Sequence, residues 1–194
     1  MTENDQLKQD LDYIATAVRR RDRPAGVPAI FFLWAAIIAV GFPLVDFGQH
    51  LPRIFGAYWL VAGFGGGALS WWLGERDARR SGINDRELGR RYGLHWGIGG
   101  LAYLLTMLPL LLERVPPRQG GAGFLFTTGL LYALAGVHLE RSLLWAGLLM
   151  LAAYALLTAF ALPYTWTIAG VVIAVALAWA GLAARRARTQ GGRA

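Results

Sequence analysis

The sequence predicts an all-α bundle of six transmembrane helices, and three observations predict it. Six apolar stretches fill the chain, its arginines gather beyond alternate ends of them, and its tryptophans stand at their boundaries. The stretches run roughly over 28–47, 54–74, 94–112, 122–139, 143–162 and 165–184. At about 1.5 Å per helical residue, each reaches across a hydrocarbon core of about 30 Å.

Composition agrees. The chain is 56% hydrophobic and only 16% charged, against about 25% charge in soluble domains, so little chain remains outside the spans. One membrane domain over 28–184 is predicted. It follows a cytoplasmic piece at 1–27 and precedes a basic tail at 185–194. Residues 1–22 are polar and carry no small-residue cleavage site, so the first span is expected to insert and stay rather than act as a signal peptide. With no cysteine among the 194 residues, disulfides, thiolate catalysis, iron–sulfur clusters and Cys-based zinc sites are excluded.

Orientation follows from the cations. With the N-terminus inside, sixteen of the nineteen lie on the cytoplasmic side, leaving Arg53, Arg114 and Arg118 outside. Ten of the twelve acids fall inside as well, so the inner face nets about +6. These arginines flank spans and fix topology, with anionic lipid headgroups as partners and no role in nucleic-acid binding. Eighteen arginines to one lysine, with abundant Ala, Gly and Leu, suit a GC-rich bacterial genome. The bacterial inner (plasma) membrane, with both termini cytoplasmic, is the expected location. Trp59 and Trp166 at outer starts, and Trp71, Trp72, Trp96, Trp145 and Trp179 at inner ends, fit aromatic belts.

Residues 2–22 read as an amphipathic helix, with Leu7, Leu11, Ile14 and Val18 on one stripe. Its acidic first half disfavours docking on anionic lipid, which leaves a protein partner or self-association as its expected contact. Between the second and third spans, 75–80 should continue the helix until Ser81-Gly82 breaks it. Asn84 with Glu87 then resembles a capping box. The fourth and fifth spans join through a tight turn at 138–142 and must be antiparallel neighbours. A weak parallel repeat of three hairpins is suggested by Leu33-Trp34-Ala35, His95-Trp96-Gly97 and Leu144-Trp145-Ala146. Small residues should set the packing, since lipid is as apolar as leucine. Gly63 and Gly67 in the second span, Gly93 and Gly97 in the third, and Ala174 and Ala178 in the sixth form such faces, which places the second and third spans at the bundle centre. The same glycines offer an alternative, a cavity for a solute.

Candidate chemistry is sparse. No ionisable residue stands near midspan, which disfavours proton pumps and ion-coupled carriers. Threonines 106, 127, 128 and 158 can satisfy their hydroxyls on their own helix backbone. His95 and His138 should share a depth at the inner side, with Glu140 in the adjoining turn. Two imidazoles and a carboxylate are a candidate metal or acid–base site. The competing expectation is two interfacial histidines bonded to loop or water. Outside, Asp46, His50 and Arg53 are spaced for a small polar network. No motif calls for a cofactor, and none marks an enzyme. The sequence therefore predicts a non-enzymatic accessory, sensing or interaction component. The alternatives are a small-solute transporter or channel beside the second span, and a membrane enzyme or metal site at His95, His138 and Glu140.

Overall fold

The computed structural model describes residue 6 and residues 26–48, 52–81 and 86–191, and these are helical throughout apart from short turns. The elements are α1 (Pro28–Gly41), α2 (Pro43–Phe47), α3 (Pro52–Ser81), α4 (Arg86–Leu111), α5 (Pro117–His138), α6 (Arg141–Phe160) and α7 (Thr165–Gly191). The stripe expected over 2–22, the Asn84 cap and His50 lie outside the described residues. So does the side chain of Arg53.

Prolines open four of the helices, where a missing N–H costs nothing and the ring fixes a helical φ. Pro43 starts α2 directly after the turn at Phe42, so the first apolar run is a helix with a jog in it. α3 continues without a break through the charged stretch to Ser81, as its sequence predicts. α6 ends on Ala161 in the left-handed region (φ 48°), and Tyr164 (φ 55°) completes the turn into α7.

Five stretches are long and apolar enough to cross a membrane: Pro28–Phe47, Gly89–Leu111, Gln119–His138, Arg141–Phe160 and Thr165–Thr189. A helix is one of the two forms that satisfy every backbone N–H and C=O without water, which is why such runs fold this way in lipid. α3 has the length, but its glycines, aromatics and terminal charges leave it less apolar than these five.

α7 is the hub. Ala169, Ile173, Ala176, Ala180 and Ala184 recur along one stripe of it and are buried. This stripe is the small face that meets neighbours most fully, with Ala174 and Ala178 half-buried at its edge. The most extensive pairings are α5 with α6 and α1 with α7, and α7 also touches α5 and α6. Phe42 is fully buried at one end of the bundle, with Trp59, Trp166 and Phe124 rings 5.7, 5.4 and 5.2 Å away. Trp166 is thus a core residue, 4% exposed, and not part of a boundary belt. Trp71, Trp72, Trp145 and Trp179 are exposed, as belt residues should be.

The second and third spans are not at the centre. The main contacts of α3 are with α1, and those of α4 are with α5. At Gly63, Gly67, Gly93 and Gly97, nothing stands within 4 Å of where a Cβ would be. Gly66 and Gly99 do pack, against the Ile37 and Leu131 side chains, but the glycines that meet backbone are elsewhere. A Cβ on Gly136 would overlap the backbone of Leu144, and one on Gly147 the backbone of Ala133, so α5 and α6 touch main chain to main chain. A Cβ on Gly170 would lie 2.5 Å from that of Phe42. Close approach of this kind gains van der Waals contact, the main attraction between helices in lipid.

Candidate functional site

The arginine-rich end of the bundle carries a chain of polar contacts centred on the Gly26 peptide. It begins with the turn between α5 and α6. Glu140 there has an extended backbone, and its carbonyl accepts the Leu143 N–H at 3.0 Å. Its carboxylate does not cap α6. It turns inward and is only 7% exposed. Oε2 accepts the Gly26 N–H at 3.0 Å and Oε1 accepts the Ser142 hydroxyl at 2.6 Å. A buried carboxylate is costly unless hydrogen-bonded, and these two donors meet that need. The Tyr92 hydroxyl is buried against the same carboxylate without a well-formed hydrogen bond.

The other side of the Gly26 peptide is held by α7. Arg188 Nη2 donates to the Gly26 carbonyl at 2.8 Å. The same guanidinium forks onto Asp77 of α3, with Nη1 to Oδ1 at 2.6 Å and Nη2 to Oδ2 at 3.0 Å. The Gly26 Cα lies close against the carboxylate. A Cβ at residue 26 would lie 2.5 Å from Glu140 Oε2 and 2.8 Å from the Phe31 ring. One clamp therefore joins the lead-in to α1, the end of α3, the α5–α6 turn and the end of α7.

The histidines occupy a different arrangement. His95 Nε2 lies 3.1 Å from the Leu131 carbonyl, a contact that requires the proton on that nitrogen and ties α4 to α5. Its ring meets Trp96 edge-on at 5.1 Å. His138 is exposed at the end of α5. Among the described residues no group of three His, Cys, Asp or Glu side chains is gathered to hold a metal ion. Glu140 is committed to Gly26 and Ser142.

Polar groups within the spans are paired with one another. Thr106 and Thr127 hydroxyls meet at 2.7 Å, and Tyr103 donates to Thr128 at 3.2 Å, which binds α4 to α5. Thr106 and Thr128 also donate to their own helix carbonyls, Ala102 and Phe124, as the sequence suggests. Trp34 Nε1 donates to Ser70 at 3.0 Å, and the Tyr58 hydroxyl to the Ile37 carbonyl, joining α1 to α3. At the opposite end, Asp46 Oδ2 accepts both the N–H and the hydroxyl of Thr167, at 2.8 and 2.7 Å. It caps α7 from another helix, a role its sequence neighbours did not announce. A shallow open depression of about 530 Å³ lies in the α4–α5 loop, lined by Leu110, Glu113, Arg114, Val115 and Pro116, away from the glycines of α3.

Sequence reasoning named Glu140 but missed Gly26, Asp77 and Arg188 as its company. Arg188 and Asp77 were counted only as charges flanking spans. The available signal was their common depth, since both stand one or two turns beyond the end of an apolar run. The chain matches no protein-family model, no curated protein and no solved structure.

Proposed function

We propose that the chain is a non-enzymatic, multi-pass protein of the bacterial inner membrane that acts through contacts with other proteins, with six spans and both termini on the cytoplasmic side. The sixth crossing is α3. Its two ends touch opposite ends of the bundle, Trp59 at Phe42 and Asp77 at Arg188, which supports a full traverse. The ends of α5 and α7 and the start of α6 then share the basic side, as the positive-inside bias favours.

The observation that carries the interaction role is the placement of α3 and α4. Each leans mainly on one neighbour and leaves most of its glycines open, Gly63 and Gly67 on α3 and Gly93 and Gly97 on α4 among them. A helix of modest hydropathy gains more from a close protein contact than from lipid, and small residues permit the approach. The 1–22 segment supplies a second contact on the cytoplasmic side. The paired hydroxyls inside the bundle favour this role over solute transport.

Native mass spectrometry of the chain extracted from its own membrane in lipid nanodiscs tests the role. A species heavier than the 21.2 kDa chain is expected. It should be depleted in the Gly63→Leu/Gly67→Leu variant, while the chain itself stays folded. Recovery of the single chain alone would contradict the proposal.

A further inference from the structure

The two halves of the Gly26 clamp are unequal. Glu140 is buried, is held by Ser142, and sits in a short turn between two core helices, so its bond to the Gly26 N–H belongs to the core. Arg188 is placed differently. Its side chain is 33% exposed, on the last turns of α7, and its fork partner Asp77 is 31% exposed on α3, whose main contacts are with α1. One nitrogen, Nη2, serves both Asp77 and the Gly26 carbonyl. A free arginine side chain has much rotamer entropy to lose, and a facing carboxylate is what fixes its fork in one place. The Gly26 carbonyl therefore keeps its donor only while the Asp77 end of α3 stays against α7.

We infer that Asp77 and Arg188 form a release latch that couples the position of α3 to the segment leading into α1. Withdrawing the Asp77 end of α3 frees Arg188 and with it the Gly26 carbonyl. Linkage makes the coupling reciprocal, so displacing the Gly26 peptide loosens the end of α3. The Glu140 bond acts as the pivot, and the core stays closed while the latch opens. This holds whatever covers the open face of α3.

The absence of cysteine makes the test direct. A single thiol at the half-buried position next to Gly26, Val27→Cys, is labelled with a water-soluble maleimide in nanodiscs. Adding Asp77→Asn should raise the labelling rate about tenfold, the factor that losing one charge-assisted hydrogen bond commands. Arg188→Gln should do the same, and both together no more than either, because they remove one unit. In the reverse direction, Gly26→Ala should broaden the spin-label distance distribution between positions 80 and 186. A thiol at fully buried Leu143, at the same end of the bundle, should stay unreactive in every variant. Unchanged labelling at position 27, additive effects of the two substitutions, or exposure of the residue 143 thiol alongside position 27 would each overturn the latch. The last would mean unfolding of the bundle rather than local release.

Discussion

Gly26 donates its backbone N–H to the Glu140 carboxylate across 114 residues of chain, at a point where a Cβ would lie 2.5 Å from that carboxylate. This single bond joins the lead-in of the first helix to the turn between the fifth and sixth. It explains why a glycine stands two residues before Pro28, and why an acid in a short turn points inward. Gly26→Ala should destabilise the bundle by about 1–3 kcal/mol, since either the peptide or the carboxylate must shift and leave buried polar groups unpaired. Thermal unfolding in detergent reads this directly.

Glu140 should show a graded response. Glu140→Gln keeps one acceptor for the Gly26 N–H, whereas Glu140→Ala leaves both that N–H and the Ser142 hydroxyl without their acceptor. The alanine variant should lose about 2 kcal/mol or more, and the glutamine variant clearly less. Equal losses would show that a neutral amide oxygen cannot stand in for the carboxylate. His95→Ala, by contrast, should lower stability through the lost Leu131 contact without changing metal content.

Asp46→Ala should cost about 1 kcal/mol, the usual value of a helix cap, because the first turn of α7 loses the acceptor for Thr167. Asp46→Asn should recover most of it. A helix-start effect from a residue 121 positions away, measured by the same melt, would confirm the cap in trans.

The two classes of glycine should separate sharply. Gly147→Leu and Gly136→Leu push a side chain into the backbone of the facing helix and should abolish a monodisperse, folded product. At Gly63 and Gly97 an added Cβ would meet nothing within 4 Å, and Gly63→Leu and Gly97→Leu should leave the melting temperature of the isolated chain nearly unchanged. Size-exclusion profiles of the four variants check the contrast.

That contrast also marks what the sequence made legible. Helix positions were readable, because a run of apolar residues must form a helix if lipid surrounds it. The continuation of α3 through Glu75 to Ser81 and the tight α5–α6 turn both followed from local patterns. Inward faces were not readable. Lipid-facing and core-facing side chains are equally apolar, so periodicity is silent about which side packs. Gly63-x-x-x-Gly67 and Gly93-x-x-x-Gly97 therefore looked like the packing faces, while Gly136 and Gly147, which make the closest helix approach, stood out less. At the clamp, Glu140 was visible as an acid near a turn. Its partner was a backbone amide, which no side-chain pattern reveals. Asp77 and Arg188 were hidden among charges that orientation alone explained.

We propose that lipid surrounds this chain and that all six long passages, α3 included, cross it. Single-cysteine accessibility tests it most directly, since the native chain contributes no thiols. Thiols at Arg79, Arg114 and Arg141, all exposed, are probed in spheroplasts with an impermeant reagent, before and after permeabilisation. Position 114 should be labelled in intact spheroplasts, and positions 79 and 141 only after permeabilisation. Labelling of position 79 together with 114 before permeabilisation would contradict the proposal, because α3 would then return to the side from which it started.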